Sequence, residues 1–350
     1  MCSSDLLRAL YGFEDPMLRV DAAGLKFANP VGMPGGFDKN GLAVEAIGTM
    51  GVGFQDVGSV SLHPSAGNPE RPRLFRLPLD RGIRIYYGVP NDGAEVVSRR
   101  ITRVRTPARL GINLVETNTG RMAPDAEVIE EIVQSYERFQ GLTDYLVINM
   151  NCPNSMGGVS GLDDPANLRR LLDGFRRYGS LPPMFLKINL PLEAARLDAV
   201  LDVTRDFAFV QGFIPSAPKG PPATMKTPRE VFDRMRGSMT GPHTREHADE
   251  IMRFWYSRLA RRGETGRYIL ISAGGIFSAE DAWRRIRLGA TLVQVYTALI
   301  YEGPGLVKTI KQGLCELARR DGFAKVSDAI GVDVQAAPAA SRQASALAAA

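Results

Sequence analysis

Three amides and one thiol lie within six residues near the middle of the chain: Asn149, Asn151, Cys152 and Asn154. The apolar run at 145–148, just before them, predicts a buried strand that the following proline and glycines end. In a parallel α/β sheet, catalytic side chains are commonly placed at the carboxyl ends of strands. The stretch is therefore a candidate active site, although Asn and Pro also favour ordinary turns.

A lysine lies inside another predicted strand. Lys187 belongs to the apolar segment 184–188, where its side chain would face either the barrel interior or the surrounding helices. A buried ammonium group without a partner is strongly disfavoured. Lys187 therefore indicates an anion or a polarised carbonyl group above it.

Strand and helix patterns alternate along the chain eight times. The predicted strands are 29–33, 53–60, 110–114, 145–148, 184–188, 208–214, 268–272 and 292–295, and helical patterns separate them. Eight such units predict an α/β fold of the (β/α)₈ TIM barrel type in one chain of 350 residues. We expect an N-terminal segment at 1–24 with a short helix, a barrel at 25–333 and a disordered tail at 334–350.

All strand exits of such a barrel converge on one face. A glycine pair after the seventh predicted strand lies, with the end of the eighth, where these barrels bind phosphate through backbone N–H groups. A plain turn is the alternative for the pair. The exits carry the following candidate residues: Lys39, Ser59, Asn113, Asn149, Cys152, Asn154, Gly274, Gly275, Tyr296 and Thr297.

Composition argues against several other functions. The chain has 43 basic and 38 acidic residues without a dense basic run, so nucleic-acid binding is not indicated. Cys2, Cys152 and Cys315 are too far apart for a disulfide framework or a metal cluster, and three histidines offer little material for a zinc site. We expect no metal, a reducing cytosol and a small anionic ligand.

The sequence also bears on membrane contact. No apolar stretch approaches the ~18 residues of a spanning helix, and the N-terminus lacks the pattern of a signal peptide. A cytoplasmic protein is expected. Its short apolar N-terminal helix would allow at most peripheral contact with the inner membrane surface.

Several long motifs, in order, resemble dihydroorotate dehydrogenases, the flavin enzymes of pyrimidine biosynthesis. They are NPVGMPGGFDKNG at 29–41, GNPERPRLFRLP at 67–78, LGIN at 110–113, the Asn-x-x-Cys-Pro-Asn segment and the C-terminal run from Ala273 to Gly331. The resemblance covers about Leu25 to Asp333. It implies an FMN-dependent oxidoreductase that acts on a CH–CH bond and oxidises (S)-dihydroorotate to orotate.

The resemblance also implies roles for individual residues. Cys152 takes the place of the catalytic base, although a thiol with a reference pKa of ~8.5 is a poor base at neutral pH without help. Lys39, Asn149 and Asn154 correspond to substrate-binding positions. FMN contacts correspond to Ser59, Asn113, Asn149, Lys187, Gly241, Gly274, Gly275, Tyr296 and Thr297.

The chain departs from the family pattern on the substrate side. Ile85 stands where the family usually has an Asn before Gly88, and the segment 211–215 lacks the Asn-Thr pair after the sixth strand. Each lost polar partner would cost about 1–3 kcal/mol if a buried group stays unpaired. A relative that acts on a different small ring is therefore one alternative.

The electron acceptor and the type of protein leave further alternatives. The segment 67–78 resembles the quinone-using branch, whereas Cys152 is typical of the soluble branch. We favour descent from the quinone branch, with a quinone acceptor and a reduced N-terminal lid. An FMN-free phosphate-binding lyase or isomerase that uses Lys187, and a non-catalytic binding relative, are the remaining alternatives.

Overall fold

The computed structural model describes residues 3–151, 161–217 and 225–335. The strands are β1 Val20–Ala22, β2 Leu25–Phe27, β3 Val31–Asp38, β4 Phe54–Val60, β5 Leu74–Leu77, β6 Gly82–Ile85, β7 Arg109–Leu114, β8 Tyr145–Asn149, β9 Met184–Asn189, β10 Val210–Ser216, β11 Ser238–Thr240, β12 Ile269–Ala273 and β13 Leu292–Gln294. The helices are α1 Ser3–Tyr11, α2 Val44–Thr49, α3 Ala94–Ile101, α4 Asp125–Ser135, α5 Pro165–Phe175, α6 Ala194–Thr204, α7 Arg229–Asp233, α8 Arg245–Arg262, α9 Ala279–Arg287, α10 Thr297–Glu302, α11 Leu306–Arg320 and α12 Val332–Gln335.

Eight strands close into a parallel barrel. Their spatial order is β3, β4, β7, β8, β9, β10, β12 and β13, and β13 pairs again with β3. Helices follow the strands and cover the outside of the barrel. The predicted (β/α)₈ fold is therefore confirmed, together with a short N-terminal helix, α1.

Two predicted strands end too early. The strand predicted at 29–33 is β3, which continues through Pro34 to Asp38, and the strand predicted at 208–214 is β10, which is shifted by two residues and ends at Ser216. In β3 the register shifts between Met33 and Asp38, so the irregular part of the strand accommodates the proline. The candidate Lys39 still directly follows the strand end.

The segment predicted as one long irregular stretch is partly ordered. Within 215–241 the structure has α7 and β11, and β11 joins β5 and β6 in a three-stranded antiparallel sheet beside the barrel mouth. At the C-terminus α12 extends to residue 335, so the predicted tail begins with two helical residues. Residues 336–350 lie outside the described part of the chain.

An apolar cluster closes the amino-terminal end of the barrel. Phe54, Tyr145 and Phe185 point into it from three strands, and Phe27 of the β1–β2 hairpin packs against Phe54 with ring centroids 5.8 Å apart. β4 and β8 are buried along their whole length, as expected for parallel strands covered on both faces. Polar groups are thereby left to the opposite, carboxyl-terminal end.

Within the described residues, no helix combines the length and the apolar character required to cross a membrane.

Candidate active site

A cavity of about 260 Å³ opens at the carboxyl ends of the barrel strands. It brings together residues that are up to 264 positions apart in the sequence, because the barrel places all strand exits on one face. The candidate residues that line it are Lys39, Ser59, Asn149, Lys187, Gly241, Gly274, Gly275, Tyr296 and Thr297. Cys152 and Asn154 lie outside the described residues.

A chain of hydrogen bonds links three polar candidates at the exits of neighbouring strands. The Ser59 hydroxyl donates to Asn113 Oδ1 at 2.7 Å, and Asn149 Nδ2 donates to Ser59 Oγ at 3.1 Å. Asn113 does not line the cavity but lies beneath Ser59, fully buried. Its Nδ2 atom is buried and has no hydrogen-bond partner. A buried donor without an acceptor costs free energy of folding. The Asn113 amide is therefore available to donate to an oxygen or nitrogen atom of a ligand.

A glycine beside Asn113 leaves space for a ligand to reach the amide donor. A Cβ atom placed on Gly35 would come within 2.8 Å of Asn113 Nδ2. Gly35 lines the cavity, and its lack of a side chain keeps the amide accessible from above.

Lys187 enters the cavity from β9, where the sequence predicted a cation that requires an anion. The structure supplies a negative group that sequence reasoning missed: Asp56, buried on β4. Burial raises the pKa of Asp56, and the charge of Lys187 opposes that rise. Lys187 donates no hydrogen bond to another described residue, so its ammonium group is available to a ligand.

Three donors converge on the Asp56 carboxylate. The Tyr145 hydroxyl donates to Oδ1 at 2.6 Å, while the Gly35 N–H and Gln294 Nε2 donate to Oδ2 at 3.2 and 3.0 Å. Gly35 and Gln294 both line the cavity. Asp56 therefore holds Gly35 and Gln294, which form part of the cavity floor, in place through hydrogen bonds.

Lys39 lines the cavity beside Gly36 and Tyr87. Its Nζ atom donates to the Gly36 carbonyl at 2.6 Å and lies 4.5 Å from the centre of the Tyr87 ring. Burial lowers the pKa of Lys39, and the charge of Arg73 lowers it further. A cation held this way can attract an anionic group of a substrate.

The glycine candidates meet at one end of the cavity. Gly274 and Gly275 adopt φ values of +89° and +74°, and a Cβ atom on Gly275 would lie 2.6 Å from the Arg245 Cα atom. The hydroxyls of Thr240 and Thr297 are 2.6 Å apart at the same end. Only glycine fits at position 275, and backbone N–H and hydroxyl groups of this kind are suited to an anion such as phosphate.

Tyr296 also lines the cavity. Its hydroxyl donates to the Gly36 carbonyl at 3.4 Å, and its ring meets Phe37 edge-on with centroids 5.4 Å apart. Burial raises the pKa of Tyr296 to about 12, so the phenol stays neutral at physiological pH.

One part of the cavity lining is apolar where the resemblance implies a polar residue. Ile85 lines the cavity together with Tyr87 and Val89. The exit of β10 was placed two residues too early in the sequence analysis; the strand ends at Ser216, and Ala217 follows. Within the described residues, no Asn-Thr pair stands at this exit.

The family model for dihydroorotate dehydrogenase matches residues 17–317. The chain belongs to the dihydroorotate dehydrogenase family. Among curated relatives, the dihydroorotate dehydrogenase (quinone) of Thermobifida fusca is 38% identical over 336 residues, covering 94% of this chain and 87% of that protein. The corresponding protein of Sphingopyxis alaskensis is 39% identical over 333 residues, covering 93% and 89%.

Solved structures show the same family. A crystal structure of ligand-free dihydroorotate dehydrogenase from Eimeria tenella superposes with a TM-score of 0.81 at 28% identity, covering 94% of this chain and 98% of that one. Its complex with ferulenol gives a TM-score of 0.80 at 27% identity. The resemblance stated from the motifs is therefore confirmed, and the chain is an oxidoreductase of this family.

Proposed function

We propose that this dihydroorotate dehydrogenase family member uses FMN to oxidise (S)-dihydroorotate to orotate. The observation that carries the proposal is the cavity itself: it joins an unpartnered buried amide donor, a cation and a glycine-rich backbone turn at the strand exits of the barrel. The names of the curated relatives support dihydroorotate as the substrate.

The residues present fit FMN. The Gly274–Gly275 turn, Gly241 and Thr297 form an end suited to a phosphate group. The buried Asn113 amide and the Lys187 ammonium group suit an electron-rich ring that becomes anionic when reduced.

Further roles on the ring side are proposed for Ser59 and Asn149. Their hydrogen bonds fix the orientation of the Asn113 amide, and Asn149 lies at the end of β8, where it can contact both the cofactor and the substrate. Tyr296 completes the cofactor site as a neutral phenol.

The reaction removes two hydrogens from neighbouring carbons of the substrate. FMN, when bound, supplies the acceptor for the hydride that leaves C6. We assign the C5 proton to Cys152 in its thiolate form, since the thiol itself is not basic. Cys152 follows Asn149 by three residues in the sequence.

The substrate is an anion and needs a positive partner. Lys39, a half-buried cation that donates to the Gly36 carbonyl, is proposed to bind the substrate carboxylate. Asn149 and Asn154 are proposed to hold the ring. Because Ile85 stands where the family usually has an Asn, the ring has one polar partner fewer. Asn149 and Asn154 would have to supply the remaining hydrogen bonds.

A quinone is proposed as the electron acceptor, because the curated relatives are named for it. The N-terminal helix α1 offers an apolar side chain for contact with a membrane surface, since Leu10 is 53% exposed. We propose a cytoplasmic enzyme with peripheral contact to the inner membrane, which these two features support. The relatives do not favour an FMN-free lyase, a non-catalytic scaffold or a different ring substrate.

The proposal is tested with the purified holoprotein. We expect a yellow protein that releases about one FMN per chain and reduces a soluble quinone analogue only when dihydroorotate is added. A correctly folded, colourless protein that does not bind added FMN would refute the proposal. Transfer of electrons to fumarate or a nicotinamide cofactor but not to quinone would refute the choice of acceptor alone.

A further inference from the structure

A fully buried arginine ties the glycine turn of the cavity to helix α8. Arg285, on α9, has no exposed surface. Its guanidinium group donates to Asp249 Oδ1 at 2.8 Å and to Ser272 Oγ at 2.7 Å. Its Nη2 atom also donates to the carbonyls of Arg245 and Gly274, at 3.3 and 3.4 Å. Arg285 is thus bound to the end of β12 and to the first turn of α8.

The carbonyl of Gly274 determines the direction of the next N–H group. In a planar trans peptide the C=O and the following N–H point in opposite directions. Arg285 does not line the cavity, whereas Gly275 does. Holding the Gly274 carbonyl toward the buried guanidinium therefore directs the Gly275 N–H toward the cavity. Within the described residues this N–H donates to no other group.

A glycine pair needs such a restraint. Both residues have positive φ, and without Cβ atoms the peptide between them can turn over at little steric cost. The reversed peptide would present its carbonyl oxygen to the cavity and repel an anion. Arg285 opposes that reversal, because it would leave a buried guanidinium N–H without an acceptor.

We propose that Arg285 is a positioning residue for the phosphate group of the flavin. It keeps the Gly274–Gly275 peptide oriented so that the Gly275 N–H donates to the phosphate. The inference rests on the proposed FMN binding and concerns the phosphate alone. Riboflavin has the same ring and ribityl chain but no phosphate. Its affinity for the protein should therefore not depend on Arg285.

The test compares the dissociation constants of FMN and riboflavin for the apoprotein, measured by flavin fluorescence. For Arg285→Met we expect FMN affinity to fall about 10- to 100-fold, the effect of one charge-assisted hydrogen bond, with riboflavin affinity unchanged. Arg285→Lys retains a donor and should keep more of the preference for FMN.

A matched control lies on the same helix. Arg287 pairs with Asp333 at 2.6 Å and with Asp321 at 3.2 Å, away from the glycine turn. Arg287→Met should lower stability but leave the ratio of the two dissociation constants unchanged. The control thereby separates a general loss of an arginine ion pair from a loss of phosphate recognition.

The inference is overturned if Arg285→Met binds FMN as the unmodified protein does, or if both ligands lose affinity equally. If this variant does not fold, Ser272→Ala removes one acceptor of the guanidinium and should give a smaller loss confined to FMN. If the affinities of Ser272→Ala for FMN and for riboflavin both equal those of the unmodified protein, the inference is overturned. An unmodified protein that binds neither flavin would instead refute the proposed function, and this inference with it.

Discussion

Replacing Asp56 tests whether a buried carboxylate holds the cavity floor. Asp56→Ala leaves three donors without an acceptor: the Tyr145 hydroxyl, the Gly35 N–H and the Gln294 amide. At about 1–3 kcal/mol for each unpaired buried donor, the loss is roughly 3–9 kcal/mol if nothing relaxes. Because a domain is stable by only about 5–15 kcal/mol, this variant should be severely destabilised.

Asp56→Asn should behave differently. The Asn oxygen can accept from Gly35 and Gln294, while its NH₂ group donates to Tyr145, whose hydroxyl can rotate to accept. We expect a free energy of unfolding within about 1–2 kcal/mol of the unmodified protein. Urea unfolding at constant FMN measures all three proteins. An Ala variant as stable as the Asn variant would refute the role of Asp56.

The difference in stability between the unmodified protein and Asp56→Asn should depend on pH. Burial raises the pKa of Asp56 above its usual value of 3.8, so the folded protein holds this proton more tightly than the unfolded chain. Its stabilising contribution is present below pH 3.8 and is lost as the pH rises through the folded pKa. Relative to Asp56→Asn, the unmodified protein should therefore lose stability as the pH rises from about 4. A relative gain would mean that the three donors and Lys187 outweigh burial.

Three further variants address the proposed site. Cys152→Ala should retain FMN but slow flavin reduction by dihydroorotate about 10²-fold or more, and an unchanged rate would remove Cys152 from the reaction. Lys187→Ala should weaken FMN retention, and a normal FMN content would contradict its assigned place. Gly275→Ala puts a Cβ atom 2.6 Å from the Arg245 Cα atom and should lower FMN affinity. Its control, Gly263→Ala, has a similar φ of +69° with nothing within 4 Å and should bind FMN normally.

Strand periodicity and strand exits were enough to predict the fold and several of the residues that line the cavity. Lys187 illustrates why: a cation within an apolar strand has few acceptable explanations, and the barrel topology places it beside the other exits. Ser59, Asn149 and the glycine pair were found by the same reasoning.

The buried polar network could not be predicted in this way. Asp56 and Gln294 are hydrogen-bonded across 238 residues of sequence, and nothing local in either strand specifies the other as its partner. Arg285 was missed for a similar reason, because on a helix rich in arginine it does not differ from its exposed neighbours until the packing is known. The ends of β3 and β10 were placed too early, because both strands continue through a proline and the local sequence does not show this.

The most direct test of the proposed function is an anaerobic titration of the holoprotein with dihydroorotate, followed by absorbance. We expect the flavin band to bleach with about one equivalent of dihydroorotate and one orotate to form per flavin. A holoprotein with full FMN content whose flavin stays oxidised at saturating dihydroorotate would contradict the proposal.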